Sequence, residues 1–241
     1  MKDKYCIVHE RDSARRYWGY VVIAHPAAVQ RNLHHSAAHF QSDGDICNEA
    51  AAIFEKTASK VLVVSGANRF AVIGNLTNEC QHKTAMADAA HNNETMFYTM
   101  NLALHDASVG SKNPLFIEWH GMHEKSCGSI SVFISAGLNH TAATYQDPSS
   151  PVNRLHRLQL KRSFNELSGG AAIPEAQSTC RLLGTTNIFG RYVNGVPAAE
   201  VCSQPVNGAV SYYDCVAEKN GCFNGKHLNH QLVCLCFSIF L

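Results

Sequence analysis

Two residues in the first fifth of the chain, His39 and Asp43, have types and spacing that could hold a metal ion. They lie four positions apart in the segment AHFQSDGD, after an apolar run and before a strongly helical stretch. A hydrolytic zinc site uses three nitrogen or oxygen ligands and leaves a fourth position open to water. His120, at the end of a strand-like segment, offers a distant third ligand. The pattern predicts that His39, Asp43 and His120 converge on one metal ion, with zinc as the expected cofactor. Because the chain has fourteen histidines, the four-residue spacing can also arise by chance.

The segment FIEWHG brings a carboxylate close to the third predicted ligand. Side chains alternate along a strand, so Glu118 and His120 point to one face, while Ile117 and Trp119 point to the other. Glu118 is therefore a candidate general base by geometry. The structural alternative is a histidine that bonds a backbone carbonyl, beside a glutamate on a solvated face.

Four further side chains could serve such a site. Arg69 follows a predicted buried strand and could clamp a substrate carboxylate, or could pair with an acid at the sheet rim. Asp88 and His91 are three positions apart. They could hydrogen-bond the metal ligands from behind, or Asp88 could cap a helix with His91 as its neighbour. Arg191 lies in GTTNIFGRYVNG, a segment that predicts a tight loop, and is a second candidate for substrate binding.

Apolar runs that alternate with a helical pattern predict the elements that must position these residues. The expected fold is α/β, a single domain with a mixed, mostly parallel sheet, helices on both faces and a loop-rich C-terminal third. A polar segment with three histidines lies between the first predicted strand and the first predicted helix. We expect strands at 20–24, 61–65, 115–119 and 130–135, and helices at 47–59 and 152–167.

No linker divides the chain of 241 residues, so a single domain is expected. We expect it to span residues 19–220, with an N-terminal extension over 1–18 and an atypical apolar tail over 221–241.

The overall charge and hydropathy bear on the partners of the chain. Twenty basic and nineteen acidic residues leave a net charge of +1, and no basic stripe exists that could neutralise a run of phosphates. No run approaches eighteen apolar residues. We therefore expect no nucleic-acid partner and no membrane partner. The chain is expected to be a monomer.

The ten cysteines favour disulfides, because no CxxC pair typical of structural zinc sites occurs. Cys80, Cys127, Cys180 and Cys202 are the best candidates, and four cysteines permit three connectivities. Cys47 lies on a predicted helix and is expected to be a buried thiol.

Three glycosylation sequons, at Asn75, Asn93 and Asn139, also fit a secreted glycoprotein. The first eighteen residues contain no apolar stretch of the length of a signal peptide. Either a leader is missing from this chain or the protein stays inside the cell. The disulfide candidates and the sequons favour a secreted, extracellular protein.

The segments that carry a resemblance follow one another along the chain as AHFQSDGD with EAAAIFE, VLVVSGANR, ADAAHNNETMF, FIEWHGM and GTTNIFGRYVNGVPAAEVC. In the same order they resemble a family of secreted microbial α/β proteins of largely unknown function, which usually carries an HPxHD-type segment at the first position. The resemblance covers about residues 38 to 205. More distantly, the succession of His/acid loop, helix and His-Gly strand end resembles poly-γ-glutamate hydrolases and zinc carboxypeptidases.

The resemblance implies a zinc-dependent amidohydrolase or peptidase in which His39 and Asp43 match the first two ligands and His120 the third. Ser42 departs from the family pattern, which tends to have a second histidine there. The segment from 27 to 38 looks inserted, so His25 is a rival for His39.

Glu218 is the only match to a late glutamate of the family, and it is the candidate general base by resemblance. The segment around it matches poorly, which puts catalysis in doubt.

Two functions from different classes follow. The first is a zinc-dependent hydrolase of peptide or γ-glutamyl amide bonds, favoured by the three predicted ligands and Arg69. The second is a secreted, non-catalytic binding protein that retains the fold with an incomplete site, favoured by Ser42 and the poor C-terminal match. A metal-independent esterase is disfavoured because the chain has no G-x-S-x-G segment.

Overall fold

The structure is a computed structural model that describes most of the chain. Eight strands form one sheet in the order β1-β2-β4-β3-β5-β8-β6-β7. The described residues are 4–11, 16–74, 80, 85–123, 125–128, 130–162, 171–175, 180, 182–203 and 231–238. The strands are β1 Tyr5–His9, β2 Tyr20–Ala24, β3 Arg31–Ala37, β4 Ser59–Val64, β5 Leu115–Met122, β6 Val132–Ser135, β7 Ala171–Ala172 and β8 Gln231–Ser238.

The sheet is mixed, as the sequence predicts. Strands β4, β3, β5 and β8 run parallel to one another, and β7 runs parallel to β6. The pairs β1–β2, β2–β4 and β6–β8 are antiparallel. The four predicted strands correspond to β2, β4, β5 and β6, and all four belong to this one sheet.

Within the described residues, four α-helices lie between strands of the sheet. The predicted helices at 47–59 and 152–167 correspond to α1 and α3. The helices are α1 Ile46–Lys56, α2 Met96–Ala107, α3 Pro151–Arg162 and α4 Ile188–Val193.

Helix α1 packs through residues spaced one turn apart, Ile46, Ala50 and Phe54, which are all buried. These side chains share a core cluster with Ile117 and Trp119 of β5. The position of α1 fixes the turn that precedes it, which carries His39 and Asp43.

A second hydrophobic cluster is formed by side chains of α2, α4 and β5. Phe116 of β5 packs with Tyr98 of α2 and with Phe189 of α4, and the Phe116 and Phe189 ring centroids are 5.7 Å apart. Phe116 alternates with Ile117 along β5, so the two residues belong to different clusters. Glu118 and His120 follow the period of Phe116 and face the α2 and α4 side.

The polar segment after β2 contains β3, a central strand that the sequence did not predict. Its histidines are buried because side chains satisfy them: the Trp119 indole N–H donates to His35 Nδ1 at 3.0 Å, and His35 Nε2 lies 2.9 Å from Ser59 Oγ. Residues 31–37 of the segment from 27 to 38 form β3 and pair with β4 and β5.

The two predicted terminal segments each contribute a strand to the sheet. β1 lies within the predicted extension over 1–18 and pairs with β2. β8 lies within the predicted tail over 221–241 and pairs on both sides, with β5 and β6. A continuous apolar run such as LVCLCF suits an interior strand, which explains the composition of this tail.

Two disulfides join the four predicted cysteines, as Cys80–Cys202 and Cys127–Cys180. They indicate an oxidising, extracellular environment. Cys47 is a free thiol of intermediate burial on α1. Among the described residues, no helix has both the length and the apolar character that crossing a membrane would require.

Candidate metal centre

The carboxyl ends of β3, β4 and β5 lie side by side because these strands are parallel neighbours. Each end is followed by, or contains, a residue that the sequence singles out. His39 comes two positions after β3, Arg69 five positions after β4, and His120 lies near the end of β5. Ligands of open α/β sheets gather at this edge.

A tight turn after β3 folds Asp43 back toward His39. The N–H groups of Ser42 and Asp43 both donate to the His39 carbonyl, at 3.1 and 3.3 Å. Gly121 permits the close approach of this turn to β5, since a Cβ atom there would lie 2.7 Å from Asp43 Cβ. The Gly121 N–H donates to Asp43 Oδ2 at 2.7 Å and fixes the carboxylate beside the strand end.

The three predicted ligands converge. His39 Nδ1 lies 2.9 Å from Asp43 Oδ2 and 3.3 Å from His120 Nδ1, and His120 Nδ1 lies 3.7 Å from Asp43 Oδ2. Ligands at about 2.0 to 2.2 Å from a tetrahedral metal ion lie about 3.4 Å from one another. The set of His39, Asp43 and His120 could therefore hold a metal ion.

Each of the two histidines has a buried carboxylate on its other ring nitrogen. His39 Nε2 lies 3.0 Å from Asp88 Oδ1, and His120 Nε2 lies 3.2 Å from Glu118 Oε1. Asp88 is 1% exposed and Glu118 is fully buried. Carboxylates behind metal-bound histidines fix the tautomer and the ring orientation, so this arrangement leaves both Nδ1 atoms to face Asp43.

A second group, His39, Asp88 and His91, also has the composition of a metal site. His91 Nδ1 and His39 Nε2 lie 3.1 and 3.0 Å from the same oxygen, Asp88 Oδ1. Arg69 forms an ion pair with the other Asp88 oxygen. Because the guanidinium already compensates this carboxylate and repels a cation, the group with Asp43 is the better metal site.

The charges of the site shift the pKa values of its members. Burial alone lowers the pKa of His120, but its contacts with Asp43 and Glu118 outweigh burial and raise that pKa to about 10. Burial alone raises the pKa of Asp43 and of Asp88, but contacts with the neighbouring histidines hold both values well below the usual range. The site is thus built to balance positive charge against carboxylates.

The three converging side chains line a cavity of about 370 Å³. The segment from 182 to 187, which immediately precedes α4, forms another wall of this cavity. The remaining lining residues are Arg69, Ala90, His91 and Gly121.

The structure places the other predicted site residues in different surroundings. Glu118 is absent from the residues that line the cavity, and its burial behind His120 suits an orienting role rather than that of a general base. Arg191 donates to the carbonyls of Thr185 and Val201, so it supports the loop and does not line the cavity. Glu218 lies outside the described residues. His25 is exposed and accepts a hydrogen bond from the Ala27 N–H, away from the cluster.

The sequence suggests that Asp88 supports a metal ligand or caps a helix, and it does not single out Asn187. Asp88 lies in a turn and not at a helix start, because α2 begins at Met96 with Thr95 as its N-cap. Its contact with His39 follows only from the tertiary structure. Asn187 donates to the buried Glu118 carboxylate, and the sequence signal for it was the N-cap position before α4.

No family model, curated protein or solved structure matches this chain.

Proposed function

We propose that this chain is a secreted zinc-dependent hydrolase of amide bonds, with the metal held by His39 Nδ1, Asp43 and His120 Nδ1. The observation that carries the proposal is the convergence of these three ligand atoms within 3.7 Å of one another on one side of a cavity. Two nitrogens and one oxygen, with room for a further ligand on the cavity side, form a set that zinc hydrolases use.

The charge of the cluster supports a divalent cation. In their ionised forms Asp43, Asp88 and Glu118 carry three negative charges, and Arg69 carries one positive charge. With neutral histidines these side chains have a net charge of −2, which a divalent ion neutralises. Buried charges without such compensation are costly, so the composition of the cluster favours a bound ion.

Bound at this position, zinc would lower the pKa of a water molecule toward neutrality and polarise a substrate carbonyl. Asp88 and Glu118 hold the two histidine rings in place. Arg69 lines the cavity beside them, and its N–H groups beyond the ion pair with Asp88 suit a substrate carboxylate.

A proton acceptor is needed to activate the water molecule. Glu218 has this role by resemblance. Within the described residues His91 is a second candidate, because it is the histidine that lines the cavity outside the set of three ligands. Peptides or γ-glutamyl chains are the proposed substrates, on the resemblance to poly-γ-glutamate hydrolases and carboxypeptidases.

The proposal is tested by the metal content of protein secreted into an oxidising compartment and purified without chelator. We expect one zinc per chain by mass spectrometry of the elements, and hydrolysis of γ-glutamyl-p-nitroanilide or a dipeptide series that a chelator abolishes and zinc restores. His120→Ala removes a ligand and should lose both properties. His123→Ala is the matched control, because this exposed histidine just beyond β5 lies outside the cluster.

Two results would decide against this proposal. Wild-type protein free of metal would reject the metal centre. Wild-type protein that binds zinc but leaves every amide probe intact would favour the alternative, a secreted binding protein that retains the fold.

A further inference from the structure

Glu118 is a buried carboxylate with few partners. Its Oε1 atom lies 3.2 Å from His120 Nε2 and 2.8 Å from Asn187 Nδ2. Its Oε2 atom has no hydrogen-bond partner among the residues whose side chains the structure describes. A buried charge depends strongly on each group that satisfies it, so His120 and Asn187 together fix the position of this carboxylate.

Asn187 connects Glu118 to the cavity wall. Its Oδ1 atom accepts a hydrogen bond from the Gly190 N–H at 2.7 Å and caps α4, while its Nδ2 atom donates to Glu118. It also belongs to the wall segment, next to Thr185 and Thr186.

The identity of this residue is informative. Serine, aspartate and asparagine cap helices about equally well, because capping needs only an acceptor oxygen. Of the three, only asparagine can cap α4 and also donate through an amide N–H to a carboxylate at the distance seen here. Capping alone therefore does not explain the choice of asparagine at position 187.

We propose that Asn187 is a positioning residue that couples the cavity wall to the metal ligand His120 through Glu118. The inference rests on the proposed metal centre. Asn187 holds Glu118, Glu118 holds the Nε2 side of the His120 ring, and the ring then aims Nδ1 at Asp43 and His39. A substrate that displaces the segment from 182 to 187 would change the geometry of the ligands through the same contacts.

Cobalt(II) is the probe, because its visible absorption reports both affinity and ligand geometry. Asn187→Ser keeps an N-cap oxygen but removes the N–H donor to Glu118. We expect cobalt to bind this variant about tenfold more weakly, with altered absorption bands, since removal of a partner behind a ligand typically costs 10- to 100-fold in metal affinity. Glu118→Gln should have an effect in the same range, and the double variant should lose less than the product of the two single losses.

Asn194→Ser is the matched control. Asn194 is the C-cap of the same helix, and its buried side chain donates to the Ala136 and Gly190 carbonyls without contact to Glu118. It should bind cobalt like the wild type. Wild-type affinity and spectrum in Asn187→Ser would overturn the proposal, and so would an equal loss in Asn194→Ser, which would indicate general loosening of α4.

A failure of hydrolysis alone would leave the cobalt comparison intact. A failure of the proposed metal centre would look different, because the wild type itself would then bind no cobalt. In that event urea unfolding of the metal-free wild type, Asn187→Ser, Glu118→Gln and the double variant decides the coupling. Non-additive shifts of the midpoints support it, and additive shifts overturn it.

Discussion

The strands β3 and β5 place two histidines, the buried His35 and the partly buried His120, in contrasting surroundings. His35 of β3 pairs in register with Ile117, and His120 lies three positions further along β5, at the carboxyl edge of the sheet. The partners of His35 are the neutral side chains of Ser59 and Trp119, and burial lowers its pKa to about 4. The partners of His120 include Asp43 and Glu118, which raise its pKa to about 10 against the effect of burial.

Burial alone therefore does not distinguish a core histidine from a functional one. The charge of the partners does, because a neutral partner stabilises neutral imidazole and a carboxylate stabilises a positive charge at the ring. A site that holds a proton between carboxylates can exchange it for a metal ion, while a site such as that of His35 cannot.

The contrast between His35 and His120 requires that the charged Asp43, in the turn after β3, contributes to metal binding. Asp43→Asn keeps the shape of the side chain but removes its charge. We expect zinc affinity to fall by about 1,000-fold, since loss of a partner behind a ligand already costs about 10- to 100-fold. Competition titration with a chromophoric chelator measures the change.

Asp45→Asn provides the matched control for this variant, because Asp45 belongs to the same turn, is exposed and lies outside the cluster. Its zinc affinity should stay within about twofold of the wild type. Equal affinities of the two variants would show that Asp43 is not a ligand.

The neutral surroundings of His35 predict a pH dependence of folding. Its pKa falls from 6.5 to about 4 in the folded state. Between these values the unfolded chain binds more protons, so the stabilising contribution is complete above pH 6.5 and is lost as the pH falls toward 4. At about 1.4 kcal/mol per pKa unit, the free energy of unfolding should decrease by about 3 kcal/mol over this range.

His35→Gln tests this dependence, because glutamine can accept from Trp119 and donate to Ser59 without titrating in this range. Urea unfolding of metal-free protein at a series of pH values gives the slope for each protein. The wild-type slope should exceed that of the variant between pH 4 and 6.5. Parallel curves would mean that folding does not lower the pKa of His35.

The same comparison shows what the sequence could reveal. The convergence of His39, Asp43 and His120 could be predicted, because the first two have the residue types and spacing of metal ligands and the third ends a strand-like segment. β3 could not be predicted, because it carries histidines at buried positions, and the partners of His35 are Ser59 and Trp119, which are distant in sequence.

The burial of Glu118 behind His120 could not be predicted from the sequence either. Strand alternation brought Glu118 and His120 to one face, as predicted, but it could not show that Asn187 and α4 cover this face. The burial of Glu118 under these elements favours an orienting carboxylate over the predicted general base.

The smallest expected effect concerns Ser59, one of the two neutral partners of His35. Ser59→Ala removes the acceptor of the His35 Nε2–H and leaves a buried donor without its partner. The free energy of unfolding should fall by about 1–3 kcal/mol at pH 7, as for other buried donors that lose their acceptor. Zinc affinity should stay within about twofold of the wild type, since Ser59 begins β4 and lies at the opposite end of the strand from the metal edge.

Ser149→Ala, an exposed serine, serves as the surface control and should change stability by less than about 0.5 kcal/mol. A large loss of zinc affinity in Ser59→Ala would mean that the two histidine environments are coupled through β3, and that the separation between core and site does not hold.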